Sequence, residues 1–414
     1  MKLAKMSLVA ALLLGANVYA IDNVKVNGDA RMYYETVDTD AANAPDMFDK
    51  DASGADFALR LGVTADLSEG VSAGATFNAV STLGVENNLV SGVWSGAHDA
   101  TPNAGADLGA QVDDASFFSE AWIAGTAGKT TAKVGRQALD TPLAFTETWS
   151  ITDNTFEAIV LLNQDLPDTT LVGTYIGKAN GLANDINPGA GLGYITSNGG
   201  KFNSFYDGVY AFGAVNNSFK PVTAQAWYYD LKSLAKAYWL QADLDMDGIL
   251  AGVQYTNISA DAAGAKDDTA FSVMLGYEMK DVATIKAAYS SVDDEGTLGV
   301  ANVATGTGNG GQTKLYTEMW WWYGTVSATG ADSIVLSAEG TVGDGYDLYL
   351  GYWNSEIDVL GTANDYTVDE IAFTVSRSYG PLDTTVALLW DDIDNEVGAD
   401  ETVTTLQLYL TYNF

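Results

Sequence analysis

From residue 21 to the C-terminus the chain repeats one unit: a segment of alternating apolar and polar side chains, a tight turn, a second such segment, then a longer polar stretch. Alternation with a period of two places successive side chains on opposite faces of a strand, one oily and one wet. The last segment shows it most cleanly: Leu406, Leu408, Leu410, Tyr412 and Phe414 alternate with Thr405, Gln407, Tyr409, Thr411 and Asn413. Nearer the start, Phe57, Leu59, Leu61, Val63, Ala65 and Leu67 oppose Ala58, Arg60, Gly62, Thr64 and Asp66. The pattern predicts eighteen strands, near 24–36, 55–67, 71–82, 115–127, 130–138, 155–164, 169–178, 205–215, 221–231, 235–245, 249–258, 269–280, 282–292, 332–342, 346–357, 367–378, 383–393 and 402–414. An even number brings both ends to the same side. Tight turns at 68–70, 128–129, 167–168, 216–220, 246–248, 280–281, 343–345 and 380–381 then share that side. The stretches 37–54, 83–114, 139–154, 179–204, 259–268, 293–331, 358–366 and 394–401 lie on the other, where one connection, 232–234, is short.

Short turns on one side and long loops on the other are the rhythm of a transmembrane antiparallel β-barrel, with periplasmic turns and external loops. The competing architecture is a surface β-sandwich adhesin, in which the same strands would be half buried and the acidic loops would bind. Residues 315–326 would also serve as a strand, but a nineteenth strand breaks the parity of the ends, so 315–331 is read as loop.

The N-terminus changes the picture by adding export. Lys2 and Lys5 precede an apolar run, Met6 to Leu14, too short to span a bilayer, and Val18-Tyr19-Ala20 offers a small-residue cleavage site. Residues 1–20 are therefore read as a signal peptide and 21–414 as the barrel domain. No later apolar run exceeds strand length. A net charge of −35 excludes nucleic acid as a partner, because phosphate binding needs clustered Lys and Arg. The absence of cysteine excludes disulfides and thiolate metal sites. Glycine is abundant (43), and tyrosine (22) outnumbers phenylalanine (14), a composition suited to close-packed strands with interfacial belts.

Few positions carry candidate chemistry. Arg31 and Arg60 sit mid-strand, where facing lipid would cost about 2–4 kcal/mol, so they are expected to face a wet lumen. Arg136 shares the parity of Val134, which faces lipid, and needs a bulge to turn inward. The run Asp243-Leu-Asp245-Met-Asp247-Gly248 matches half of a calcium loop but has Gln254 at the twelfth position, and it reads as an acidic hairpin turn. Gly306-Thr-Gly308-Asn-Gly-Gly311 follows no strand-to-helix crossover, so it does not read as a dinucleotide site. Trp320-Trp321-Trp322-Tyr323 reads first as an interfacial girdle or subunit contact, and second as a stacking platform for a sugar or aromatic solute. His98, the single histidine, lies in a loop with no nucleophile assigned to it, and no enzyme is expected.

The segment Val134-Gly135-Arg136-Gln137-Ala138-Leu139-Asp140-Thr141-Pro142-Leu143-Ala144-Phe145, running on to Trp149 and to Asp153-Asn154-Thr155-Phe156-Glu157-Ala158, resembles the major outer-membrane porins of epsilonproteobacteria, the Campylobacter-type family. The signal peptide and terminal Phe414 fit that resemblance. It implies an eighteen-stranded barrel in a lipid bilayer, a homotrimer, and passive diffusion of ions and small hydrophilic solutes across the outer membrane of a Gram-negative bacterium. It also implies that the loop after the fifth strand, here Asp140 to Asn154, folds into the lumen. Asp140, Glu147 and Asp153 would then line a constriction opposite Arg31, Arg60 and Arg136. By the same resemblance a calcium ion would sit in the pore on Asp140 or Asp153. The net charge adds an expectation of weak cation preference. The alternative within transport is a channel selective for small carboxylates or amino acids, with the three arginines as a ladder.

Overall fold

The computed structural model describes residues 22–93, 115–149, 151–180, 200, 202–305, 310–358 and 365–414. The segment read as a signal peptide, His98, and residues 306–309 of the glycine-rich run lie outside them.

Among the described residues the chain forms β1 (Asp22–Thr39), β2 (Ser53–Ser68), β3 (Val71–Val80), β4 (Gly92–Val93), β5 (Ala115–Ala127), β6 (Thr130–Gln137), β7 (Phe156–Asn163), β8 (Thr169–Ala179) and β9 (Asn203–Phe219). There follow β10 (Val222–Leu231), β11 (Ala235–Met246), β12 (Ile249–Ala260), β13 (Asp268–Met279), β14 (Ala283–Val292), β15 (Ala331–Val342), β16 (Tyr346–Ile357), β17 (Tyr366–Tyr379), β18 (Leu382–Asn395) and β19 (Glu401–Asn413). The two-residue β4 lies parallel to β2 in a loop. The other eighteen strands pair antiparallel in chain order, and β19 returns to pair with β1. The sheet has no edge, which is what a sheet crossing lipid requires. The ends lock each other: Gly28 N–H donates to Phe414 O and Phe414 N–H to Gly28 O, both at 2.9 Å.

The eighteen strands read from alternation are the eighteen observed. The largest discrepancy is at β9, which runs on to Phe219 because Asn216 stays in the ladder opposite Ala224. The stretch 315–330 is not a strand; it holds a short helix, α1 (Tyr323–Ser327), and β15 begins at Ala331.

One face of the barrel is a continuous apolar skin. Leu59, Val253, Leu275, Ile334, Leu350 and Leu388 are all exposed, at the parity that points outward. A skin of this extent is the surface of a protein solvated by acyl chains. No helix among the described residues is long and apolar enough to cross a membrane; the strands do the crossing. The buried residues sit inside, where the inward faces of the strands meet two infolded loops. A closed sheet with its apolar residues outside is incompatible with a sandwich, so the adhesin reading is overturned.

Candidate pore constriction

The loop between β6 and β7, over its described residues 138–149 and 151–155, turns into the barrel. Leu143, Ala144 and Phe145 are fully buried, and the interior is where a loop can place such a run. A bridge between Asp140 and Phe145, with Thr146 N–H donating to Leu139 O (2.8 Å), narrows it to a hairpin. Its return leg sets Asp153 against β1 and β2. Arg31 Nη1 donates to Asp153 Oδ1 at 3.2 Å, and Arg60 Nη1 to Oδ2 at 2.7 Å. Arg60 also grips Asp29 through Nε (2.9 Å) and Nη2 (2.7 Å), while Arg31 Nε lies 3.2 Å from the same carboxylate. Two guanidiniums and two carboxylates therefore form one ion cluster without net charge, its side chains 14% to 22% exposed.

A second loop between β14 and β15, over its described residues 293–305 and 310–330, also enters the barrel. Its stem is held by Asp268, which accepts the N–H groups of Thr297 (3.0 Å), Leu298 (2.8 Å) and Gly299 (2.8 Å). Deeper in, Glu370 on β17 accepts three successive N–H groups, from Trp320 (2.7 Å), Trp321 (2.9 Å) and Trp322 (2.9 Å). Trp320 Nε1 donates to Gln407 on β19 (3.0 Å), Trp353 Nε1 on β16 to Glu318 O (2.9 Å), and Gln254 Nε2 on β12 to Lys314 O (2.8 Å). One segment reaches inward-facing groups on all these strands only from inside the cylinder. The four consecutive aromatics are thus lumen furniture, which corrects the girdle or subunit-contact reading: the pull of Glu370 on their backbone outweighs the interfacial preference of their rings.

The two loops clasp each other. Asn302 Nδ2 donates to Phe145 O (2.9 Å) and Glu147 Oε1 (2.8 Å), Asn302 Oδ1 accepts Phe145 N–H (3.1 Å), and Val303 N–H donates to Leu143 O (2.9 Å). The Thr305 hydroxyl adds a second bond to Glu147. Nearby, burial, with the Glu147 charge adding to it, pushes the Glu318 carboxyl up to about 8. Beside the Arg31 cluster the loops leave a cavity of about 470 Å³, walled by Trp149, Trp321, Tyr323 and Tyr409.

The site residues expected from the sequence divide as follows. Arg31, Arg60 and Asp153 come together as described. Asp140 is 86% exposed and pairs with Lys314 Nζ at 3.0 Å, from the second loop. Glu147 is buried in the clasp between the loops, a correction to its expected place facing pore water, because its oxygen is taken by Asn302 and Thr305. Arg136 is a second correction. The register of β6 with β5 and β7 runs without a bulge through Arg136, so its side chain keeps the outward parity of Val134. There it pairs with Glu157 (3.0 Å), which also meets Lys178 (3.5 Å). The oxygens expected to hold calcium meet cations of the chain itself. Both oxygens of Asp153 accept guanidinium N–H groups, Asp140 faces an ammonium, and among the described residues no group of three or more His, Asp or Glu side chains converges as a metal site. Asp247 and Gly248 form a hairpin turn with positive φ, in keeping with the acidic-turn reading of that run.

Asp29, Asp268, Asn302 and Glu370 were not marked by sequence reasoning. Each acts through backbone groups or partners far along the chain. The available signal was the apolar content of loop 293–331, too rich for an outer loop exposed to water.

Residues 7–318 match the model of the Gram-negative porin family. Three solved structures show the same fold at low identity. Pseudomonas aeruginosa OccK3 (OpdO) is 13% identical, covering 96% of this chain and 97% of its own, with a TM-score of 0.69. Pseudomonas aeruginosa OpdL is 14% identical over 95% and 99%, TM-score 0.67. Acinetobacter baumannii OccAB4 is 11% identical over 95% and 98%, TM-score 0.68. No curated protein sequence matches the chain. With a family match over most of its length, and a closed eighteen-stranded barrel greasy outside and narrowed within, the chain belongs to the Gram-negative porins, outer-membrane channels for small solutes.

Proposed function

We propose that this porin conducts small hydrophilic solutes and ions passively, with a weak preference for cations. The observation that carries the preference is the excess of carboxylates on the inner face once the ion cluster at the constriction has neutralised itself. Asp29 and Asp153 cancel Arg31 and Arg60. The field along the lumen is then set by the remaining inward strand positions, where Asp243, Asp245, Glu278, Asp347 and Asp383 outnumber Lys25, Lys133 and Lys286. Carboxylates along a narrow wet path concentrate cations. The carboxylate-selective alternative loses support, since two rungs of its ladder are held in ion pairs and Arg136 points out of the barrel.

The resemblance around Val134 to Phe145 supports a place beside the epsilonproteobacterial porins, and with it a homotrimer and export by a cleaved signal peptide. Mass measurement of detergent-solubilised particles tests the trimer; N-terminal sequencing of the membrane form tests cleavage after Ala20. Reversal potentials across a planar bilayer in a potassium chloride gradient test the preference: a potential of cation-selective sign is expected, and an anion-selective sign refutes it.

A further inference from the structure

We propose that the cavity beside the ion cluster is a subsite for neutral, hydroxylated ring solutes, that is, small saccharides; this rests on the channel reading above. Its walls are largely aromatic, and those from residues 320–322 are fixed. Trp149 and Trp321 meet edge to face, centroids 5.9 Å apart at 84°, and so form a corner of two perpendicular rings. Tyr33 and Tyr409 close another side at 4.9 Å. Residues 320–322 cannot swing freely, because Glu370 holds all three backbone N–H groups and Gln407 holds the Trp320 indole.

The aromatic surface continues beyond the cavity. Trp320 packs on Tyr349 (6.1 Å), and Tyr349 on Trp353 (6.1 Å). Tyr349 also borders a second cavity, of about 600 Å³, at the end of the lumen where the tight turns lie. A ring leaving the first cavity thus meets a further aromatic face on its way to that mouth.

The polar lining decides the solute. Thr148, Gln312, Thr385 and Thr411 offer neutral donors and acceptors. The one charged group in the wall, Arg31, is engaged by Asp29 and Asp153. A carboxylate solute would have to displace Asp153 to be paired, and an organic cation would approach a guanidinium. A saccharide needs neither: its C–H face lies on indole or phenol, and its hydroxyls meet the threonines and the amide.

The test is current blockade in a planar bilayer. Maltose added to the conducting wild-type channel is expected to lower the potassium chloride current saturably. Trp321→Ala and Trp149→Ala should each raise the half-blocking maltose concentration about five-fold or more, Trp321→Phe should restore much of the affinity, and Val253→Ala, on the lipid face, should change nothing. Heat-modifiable gel mobility identifies any variant that fails to fold, and the Phe variant then carries the comparison. The proposal is overturned if maltose leaves the current untouched, if benzoate blocks at lower concentration than maltose, or if the Trp and Val253 variants behave alike. Absence of any potassium chloride current in the wild type would instead overturn the channel reading beneath it.

Discussion

The substitution Asp153→Asn isolates the electrostatics of the constriction. The new amide keeps an oxygen to accept from a guanidinium, so the loop retains a bond to the wall, but the cluster of two arginines and two aspartates gains one net positive charge. An ion passing about 6 Å away in a water-like dielectric feels about 0.7 kcal/mol from that charge, and roughly half of this at physiological salt. Cations are then depleted and anions enriched by about two- to three-fold each. The cation-to-anion permeability ratio should fall about three- to ten-fold. Reversal potentials of wild type and variant in the same salt gradient read this directly, and adding Arg60→Gln to the variant should return the ratio toward wild type. A ratio unchanged within the scatter of wild-type channels, or one that moves toward cations, would show that Asp153 does not border the conducting path.

Arg136→Gln should leave selectivity and conductance at wild-type values, since the side chain lies outside the barrel with Glu157; a shift as large as that of Asp153→Asn would place Arg136 in the lumen. Glu370→Ala strands three partly buried N–H groups, each bonded to a carboxylate in a contact worth roughly 1.5–3 kcal/mol. Residues 320–322 should leave the wall, and single channels should become larger and noisier; unaltered single-channel traces would count against this anchor. Glu318 supplies a pH dependence. Its folded carboxyl titrates at about 8 against an ordinary 4.5, so the folded loop holds a proton that the unfolded loop releases. That contribution is fully present below about 4.5, weakens as pH rises and is lost above about 8. Channel noise should therefore grow between about pH 5 and about pH 8 in the wild type and stay flat in Glu318→Gln, and parallel curves for the two would refute the assignment.

The strands were legible because lipid and water impose opposite demands on alternate residues. β5 and β16 were placed to the residue for that reason. Arg31 and Arg60 were legible by the same physics, as a mid-strand cation has only the wet side available. Arg136 shows the limit. Its own residue type argues inward, yet its parity argues outward, and Glu157 across the ladder makes the outward position tolerable. Glu147 was not legible as a buried residue. Its partners Asn302 and Thr305 lie 155 and 158 positions along the chain, and without them a loop acid reads as solvated. The inward path of loop 293–330 was missed because it has no regular period. It follows from Asp268, Gln254 and Glu370, ordinary polar residues on the inner face until a backbone is laid across them.

Single-channel recording of the purified protein in a planar bilayer under a potassium chloride gradient bears most directly on the whole account. Discrete current steps with a reversal potential of cation-selective sign are the predicted result. A protein that inserts with native heat-modifiable mobility yet passes no current, or passes chloride in preference to potassium, would contradict it.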